Sequence, residues 1–170
     1  MKFLEKDLED IIWESDNKKL IKKGLFIEGV KKRQLRIGNY GIADLVTIKK
    51  EYRLDEYDCK LYPVLNITVW ELKKEKIGIS AFLQAVRYCK GIQTYLLSHR
   101  ENIQFKLNIG LVAKYVDFNS DFIFLTDLID VSNTDLLFKV NRLNAYSFKF
   151  DIDGIKFENH KGYNLTNKGF

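Results

Sequence analysis

At 170 residues, 46% of them hydrophobic and only one of them proline, the chain can bury one ordinary core and is too short for two comfortable domains, so residues 1–170 read as one unit. A net charge of +5 with an aromatic share of 14% leaves no stretch poor enough in apolar groups to stay disordered. No segment approaches the roughly 20 apolar residues of a membrane span, and MKFLEKDLEDII has acids where a signal peptide needs an apolar run, so a cytoplasmic protein without a membrane partner is expected.

Leu4, Leu8, Ile11 and Ile12 form one stripe of an amphipathic helix over about Phe3 to Glu14, and Gly24 marks a break. Leu25-Phe26-Ile27 and, beyond a basic stretch, Gln34-Leu35-Arg36-Ile37 read as two short strands or a hairpin, with a turn at Gly38-Asn39-Tyr40-Gly41. A strand over Ile42 to Ile48 follows. Lys49 to Lys60 reads as a charged hairpin tip, and Leu61 to Leu72 returns as a β-rich run containing Val64, Ile67, Val69 and Trp70. Lys73-Lys74-Glu75-Lys76 and Gly78 stop that strand. Ile79 to Leu97, with no proline and no β-branched run, is expected to be a helix whose weak point is Gly91. Leu107 to Tyr115 reads as a buried strand and Asp121 to Leu125 as a shorter one. Alternation in Phe148-Lys149-Phe150-Asp151-Ile152, the Asp153-Gly154 turn and Ile155-Lys156-Phe157 indicate a terminal hairpin. The order αβββαβ emerges, an α/β (α+β) pattern.

The positive charge is uneven. Residues 1 to 100 hold 20 Lys+Arg against 14 Asp+Glu, and residues 101 to 170 hold 8 against 9. Clusters such as Lys31-Lys32-Arg33 and Lys73-Lys74 with Lys76 suit a polyanion, because phosphate contacts release counterions from nucleic acid; a solvated lysine-rich surface fits the charge equally well. Cys59 and Cys89 lie outside any CxxC pattern, as expected in a reducing compartment, and with only His99 and His160 beside them they make no zinc set. His99 reads as a helix-end cation, and Trp13 and Trp70 as core or as a base-stacking platform.

An acid, any residue, then Lys occurs three times, at Asp16-Asn17-Lys18, Asp58-Cys59-Lys60 and Glu71-Leu72-Lys73, about as often as chance allows. Only the third ends a strongly apolar strand. There Glu71 and Lys73 share a face and Leu72 points opposite. Asp44 in Gly41-Ile42-Ala43-Asp44-Leu45-Val46 is again a lone acid in an apolar run, where an unpaired charge is costly. Two such carboxylates on neighbouring strands are what a hard cation, Mg²⁺ or Mn²⁺, prefers, with waters and substrate phosphate completing its shell.

On these residues the sequence resembles the PD-(D/E)xK nuclease superfamily over roughly Glu5 to Tyr115, in the flavour of archaeal Holliday-junction resolvases and of the nuclease domain of mismatch and single-strand-specific endonucleases. The carrying motifs are Glu5-Lys6-Asp7-Leu8-Glu9, Gly41-Ile42-Ala43-Asp44-Leu45-Val46, and Trp70-Glu71-Leu72-Lys73 followed by Gln84-Ala85-Val86-Arg87-Tyr88. The resemblance implies a restriction-endonuclease-like αβββαβ core with a mixed central sheet over residues 1–116; the C-terminal β-hairpin extension over 117–170 lies beyond the resemblance, with a homodimer interface and a substrate lid as its two candidate roles. It implies a Mg²⁺-dependent deoxyribonuclease, an endonuclease acting on DNA. Asp44 and Glu71 would bind metal, Lys73 would orient the attacking water, and Glu5 and Gln84 would complete the centre, with Glu9 competing with Glu5. Lys31, Lys32, Arg33, Arg36, Lys74, Lys76, Arg87 and Tyr88 would meet nucleic acid. The chain departs from the family in spacing: Glu71 follows Asp44 by 27 positions, about twice what a tight hairpin needs, which implies an extended hairpin around Tyr52 to Leu61. The alternative is a catalytically inactive nucleic-acid-binding or protein-interaction module on the same fold.

Overall fold

The architecture begins with the ribbon that the long spacing requires. In the computed structural model, which describes residues 3–54, 57, 59–99, 103–117 and 140–160, strand β2 (Ile42–Leu54) and strand β3 (Leu61–Leu72) pair antiparallel without interruption from Leu45↔Trp70 to Leu54↔Leu61. The charged run Lys49 to Leu54 is therefore strand rather than hairpin tip. Its side chains tolerate pairing because this end of the ribbon is largely exposed, where Tyr52, Arg53 and Leu54 meet solvent.

Ahead of the ribbon come helix α1 (Glu5–Glu14), helix α2 (Asn17–Lys22) and strand β1 (Val30–Arg36). α1 starts where the Leu4 backbone N–H donates to the Asp7 carboxylate at 2.6 Å, and α2 where Asp16 accepts from the Lys19 N–H at 2.7 Å. Sequence reading missed α2: six residues are too few to show a period. It also placed strands at Leu25–Ile27 and Gln34–Ile37. Leu25 and Ile27 are instead buried in the connection, and β1 begins within the basic stretch, with residues alternating between partly buried and exposed. A short 3₁₀ turn (Gly38–Tyr40) leads into β2.

After β3 come strand β4 (Lys76–Ile77), helix α3 (Ile79–His99), strand β5 (Gln104–Ala113) and strand β6 (Tyr115–Val116), then strands β7 (Val140–Asp151) and β8 (Gly154–Asn159). The central sheet runs β1-β2-β3-β5-β7-β8, with β3, β5 and β7 parallel and the outer pairs antiparallel; β4 and β6 form a small parallel pair of their own. This is a mixed α/β fold dominated by one mixed sheet. The terminal hairpin is present, with Phe148 opposite Phe157 and Asp151 opposite Gly154. It is no appendage, because β7 pairs directly with β5. The strand expected at Asp121 to Leu125 lies outside the described residues. Among the described residues no helix is long and apolar enough to cross a membrane.

Each face of the sheet has its own core. On one, Ile67, Val69, Ile109 and Leu111 pack under Ala81, Phe82, Ala85, Tyr88 and Cys89 of α3. On the other, Leu45, Trp70, Leu72, Val112 and Tyr146 pack under Leu8 and Ile12 of α1 and Leu20 of α2. Trp70 is thus core and not a stacking platform, its indole N–H donating to the Thr47 hydroxyl at 3.0 Å. Trp13 is partly exposed.

Gly91 does not weaken α3; it lets the helix sit against the 3₁₀ turn. A Cβ there would stand 2.5 Å from Ile37 Cγ2 and 2.7 Å from the Tyr40 ring. In an exposed helix interior, Gly→Ala raises stability by about 1 kcal/mol. Here Gly91→Ala is expected to lower it, by roughly 1–3 kcal/mol, because the added methyl overpacks a closed contact. Urea denaturation of the variant measures the sign, and a rise in midpoint would contradict the packing described.

Candidate functional site

β2 and β3 part at the sheet end where β2 begins and β3 stops. The last ladder pair is Leu45↔Trp70; one step further stand Asp44 and Glu71, and there the Asp44 carboxylate takes the place of a backbone partner, accepting from the Leu72 N–H at 3.0 Å. The other neighbour of β2 opens at the same point. β1 and β2 pair at Arg33↔Leu45 and Leu35↔Ala43 but not at Gln34 and Asp44, and Gln34 adopts φ +48°, a left-handed conformation unusual for a residue with a side chain. The strand position of Asp44 is thus loosened on both sides.

Glu71 alternates with Trp70 and Leu72 and so turns away from the α1 core. It is fully buried. Lys73 Nζ donates to Glu71 Oε1 at 2.7 Å, while the buried Oε2 has no hydrogen-bond partner. Lys73 also lies 3.5 Å from the Glu5 carboxylate at the start of α1, and its own backbone N–H is tied to the Val112 carbonyl at 2.8 Å. Burial pushes the Glu71 carboxyl up to about 7; the Lys73 bond pulls it down, and the nearby Asp44 charge pushes it up again. Burial also raises Asp44, against the Leu72 N–H and the Lys73 charge that lower it. Burial alone would lower the Lys73 ammonium, but its bond to Glu71 and the charges of Glu71, Glu5 and Asp44 outweigh that and hold it above its ordinary value.

Glu5, Asp44, Glu71 and Lys73 are therefore one electrostatic unit. Glu5 and Glu9 are placed differently, though the charge of each raises Asp44. Glu9 is nearly buried and its two oxygens accept from the Arg33 guanidinium and from Gln34 Nε2 at 2.8 Å, whereas Glu5 is the carboxylate that reaches Lys73. Gln34 and Glu9 thus stand beside the site as its support. Glu9 stands in the first-helix motif as the rival of Glu5, whereas Gln34 carries no motif that points to this role.

The other expected site residues are placed differently. Gln84 does not bond to a carboxylate; its Nε2 donates to the Tyr88 hydroxyl at 2.8 Å. Tyr88 is buried in the core beneath Gly41, three residues before Asp44, so it presents no ring to a ligand, and Arg87 lies over it at 5.5 Å. Lys31 donates to the carbonyls of Ile12 and Trp13, both at 2.9 Å, and of Ser15, closing the C-terminal end of α1. Arg33 pairs with Glu9 and Asp10. Lys74 pairs with Glu75 at 3.4 Å and Lys76 with Asp117. Lys32 and Arg36 are exposed without a pair among the described residues. His99 stacks on Tyr95 at the end of α3, and His160, which had no partner in the sequence reading, lies 2.7 Å from the Ser147 hydroxyl.

The carboxylate pair fits a hard cation in two respects. All its donors are oxygens, and Glu71 keeps one buried oxygen that no described residue satisfies. Among the described residues no three His, Cys, Asp or Glu side chains gather into one ligand set, so water and substrate would have to supply most of the shell. Comparison with models of known protein families, with curated proteins and with solved structures finds no match to this chain.

Two measurements follow from these contacts. Lys31→Met removes the cation that closes α1 and takes its donor from three carbonyls, so a loss of about 1–3 kcal/mol is expected in chemical denaturation; an unchanged midpoint would mean the clasp is idle. Glu71 binds its proton more tightly folded than unfolded, so its contribution to stability is full below its ordinary value of 4.5 and is lost as pH rises through about 7. Glu71→Gln has no such loss. Its stability relative to wild type should climb by about 2–3 kcal/mol between pH 5 and pH 8, and parallel pH profiles would show that Glu71 is not held up.

Proposed function

We propose that the chain is a metal-dependent nuclease with a restriction-endonuclease-like core, hydrolysing DNA phosphodiester bonds at Asp44, Glu71 and Lys73. The observation that carries this reading is the buried, unpartnered Glu71 oxygen at the fork of two strands, beside a second carboxylate and an ammonium. A fold gains nothing in stability from such a group, and perturbed carboxylates of this kind concentrate at functional sites. The order αβββαβ, with Asp44 on β2 and Glu71 on β3, also agrees with the family that the motifs resemble.

Held between Asp44 and Glu71, a Mg²⁺ or Mn²⁺ ion would supply Lewis-acid stabilisation of the phosphoryl oxygens and a more acidic water. The chain's own groups do the positioning. Asp44 is aimed by the Leu72 N–H, which fixes Oδ2 and leaves Oδ1 without a hydrogen bond among the described residues. Glu71 is aimed by the β3 backbone and by Lys73. Lys73 is anchored at both ends, its backbone on Val112 and its ammonium between Glu71 and Glu5, so it can offer an N–H to a non-bridging phosphate oxygen or to the attacking water at little entropic cost. Glu5 keeps that ammonium charged and oriented. Substrate would displace the Lys73–Glu71 bond in part, exchanging one anionic partner for another.

The test is cleavage of labelled DNA, single-stranded and duplex, with Mg²⁺, with Mn²⁺ and with chelator. Divalent-dependent cleavage is expected for wild type, with Glu71→Ala and Lys73→Ala folded but slower by orders of magnitude. Undiminished cleavage by both purified variants would exclude this centre, and absence of cleavage by wild type under every condition would favour a binding module on the same fold.

A further inference from the structure

A groove of about 1160 Å³ lies between the end of α2, the loop after β3, β6 and the β7–β8 hairpin. It is linked to the site along the sequence: Lys74 and Glu75 on its wall follow Lys73, and Phe3 precedes Glu5 by two residues. Six lysines line it against two glutamates, Glu75 and Glu158. Lys22 and Lys149 have no ion pair among the described residues, and Lys114 only lies over the Tyr115 ring at 5.3 Å. Lys23 and Lys156 are held by the hairpin, on the Asp153 carbonyl and the Asp151 carboxylate. Such like charges repel one another and are tolerated where an anion joins them.

The walls add rings. Phe150 is 55% exposed although its edge is braced by Phe3 at 4.9 Å and Phe148 at 5.9 Å, and Tyr115 is 58% exposed. The volume exceeds that of most small-molecule pockets, roughly 300–1,000 Å³, which favours a polymer over a nucleotide. A duplex shows such a groove only its phosphates; unstacked bases alone use the ring faces. We infer that this lysine- and phenylalanine-lined groove binds single-stranded nucleic acid and leads it to the Asp44–Glu71–Lys73 site. The inference deepens the nuclease reading and rests on it for where the strand is led, not for the binding itself. It also moves the expected contact surface: the track is built largely from the C-terminal part of the chain, whose summed charge is slightly negative.

The experiment uses the full-length Glu71→Gln protein in chelator, so that binding is read without cleavage, with a fluorescent oligothymidylate of about 20 nucleotides and the matching duplex as probes. Lys22→Glu, Lys114→Glu and Lys149→Glu together should weaken single-strand binding by at least about tenfold and flatten the salt slope by roughly 2, at about 0.7 per contact. Phe150→Ala should weaken it several-fold while Phe150→Tyr retains it, a contrast that mere misfolding would not give. Thermal melts of each variant accompany the titrations. Wild-type affinity in the charge-reversed variant, or a duplex that binds as tightly as the single strand with both indifferent to Phe150→Ala, would overturn the inference. Tight groove-dependent binding by a wild-type protein that never cleaves would retain the groove and remove the nuclease reading alone.

Discussion

A carboxylate that is fully buried beside a second carboxylate can persist only if something holds both, and in this chain that something is Lys73. Its ammonium reaches Glu71 and Glu5 at once, and its charge also favours the ionised form of Asp44. Remove that cation and a buried acid stands near a half-buried one, each pushed toward its neutral form by the loss of water. Lys73 is in turn fixed because β3 runs parallel to β5, which supplies the Val112 carbonyl to its backbone. The parallel crossover through α3 and the site are thus one arrangement: the helix that bridges β3 and β5 covers the sheet face toward which Glu71 turns.

Support from the α1 side is just as specific. Glu9 takes Arg33 and Gln34 from β1, so α1 is bolted to the edge of the sheet one turn from Glu5. The same Gln34 leaves the ladder opposite Asp44. Burying Leu8 and Ile12 against Trp70 and Leu72 sets the depth of α1, and the polar clasp sets its angle and its end. Apolar contacts alone are non-directional and would allow the helix to roll. Hydrogen bonds to Glu9 and to the carbonyls at its C-terminus would not.

The parts of the fold that were legible are those where one periodicity lasts. β3 and α3 are found close to their expected limits because an apolar run and a helical stripe persist over 12 and 21 residues. β1 and the outer half of β2 were hidden because a two-stranded ribbon reaching into solvent has no apolar face, so charged residues there look like loop. The site was legible in part for the same reason: Asp44 and Glu71 stand out as acids inside apolar strands. What sequence cannot display is a partner that is backbone. Lys31 looked like a phosphate contact because nothing in a string of letters shows that three carbonyls at the end of α1 converge on it. Tyr88 shares a helical stripe with Gln84, but spacing does not say whether that stripe meets ligand or core. Of the groove lysines, Lys22 belongs to the basic run Lys18-Lys19 and Lys22-Lys23 that the sequence displays, whereas Lys114 and Lys149 lie in the part of the chain whose summed charge is slightly negative; only the folding of the terminal hairpin against β5 and α2 assembles them.

The basic stretch of β1 has one more bearing, on how the molecule avoids its own copies. β1 is an outer strand of the six-stranded sheet, so one side of its backbone pairs with no other strand among the described residues. An outer strand that is flat and apolar invites another chain to add to it and so seeds aggregates. This one exposes Lys32 and Arg36 and is broken by the left-handed Gln34, so an approaching copy would meet like charge and a kinked ladder. A composition that suggests attraction to polyanions also acts as a solubility guard, and neutralising it would be felt first as precipitation during expression.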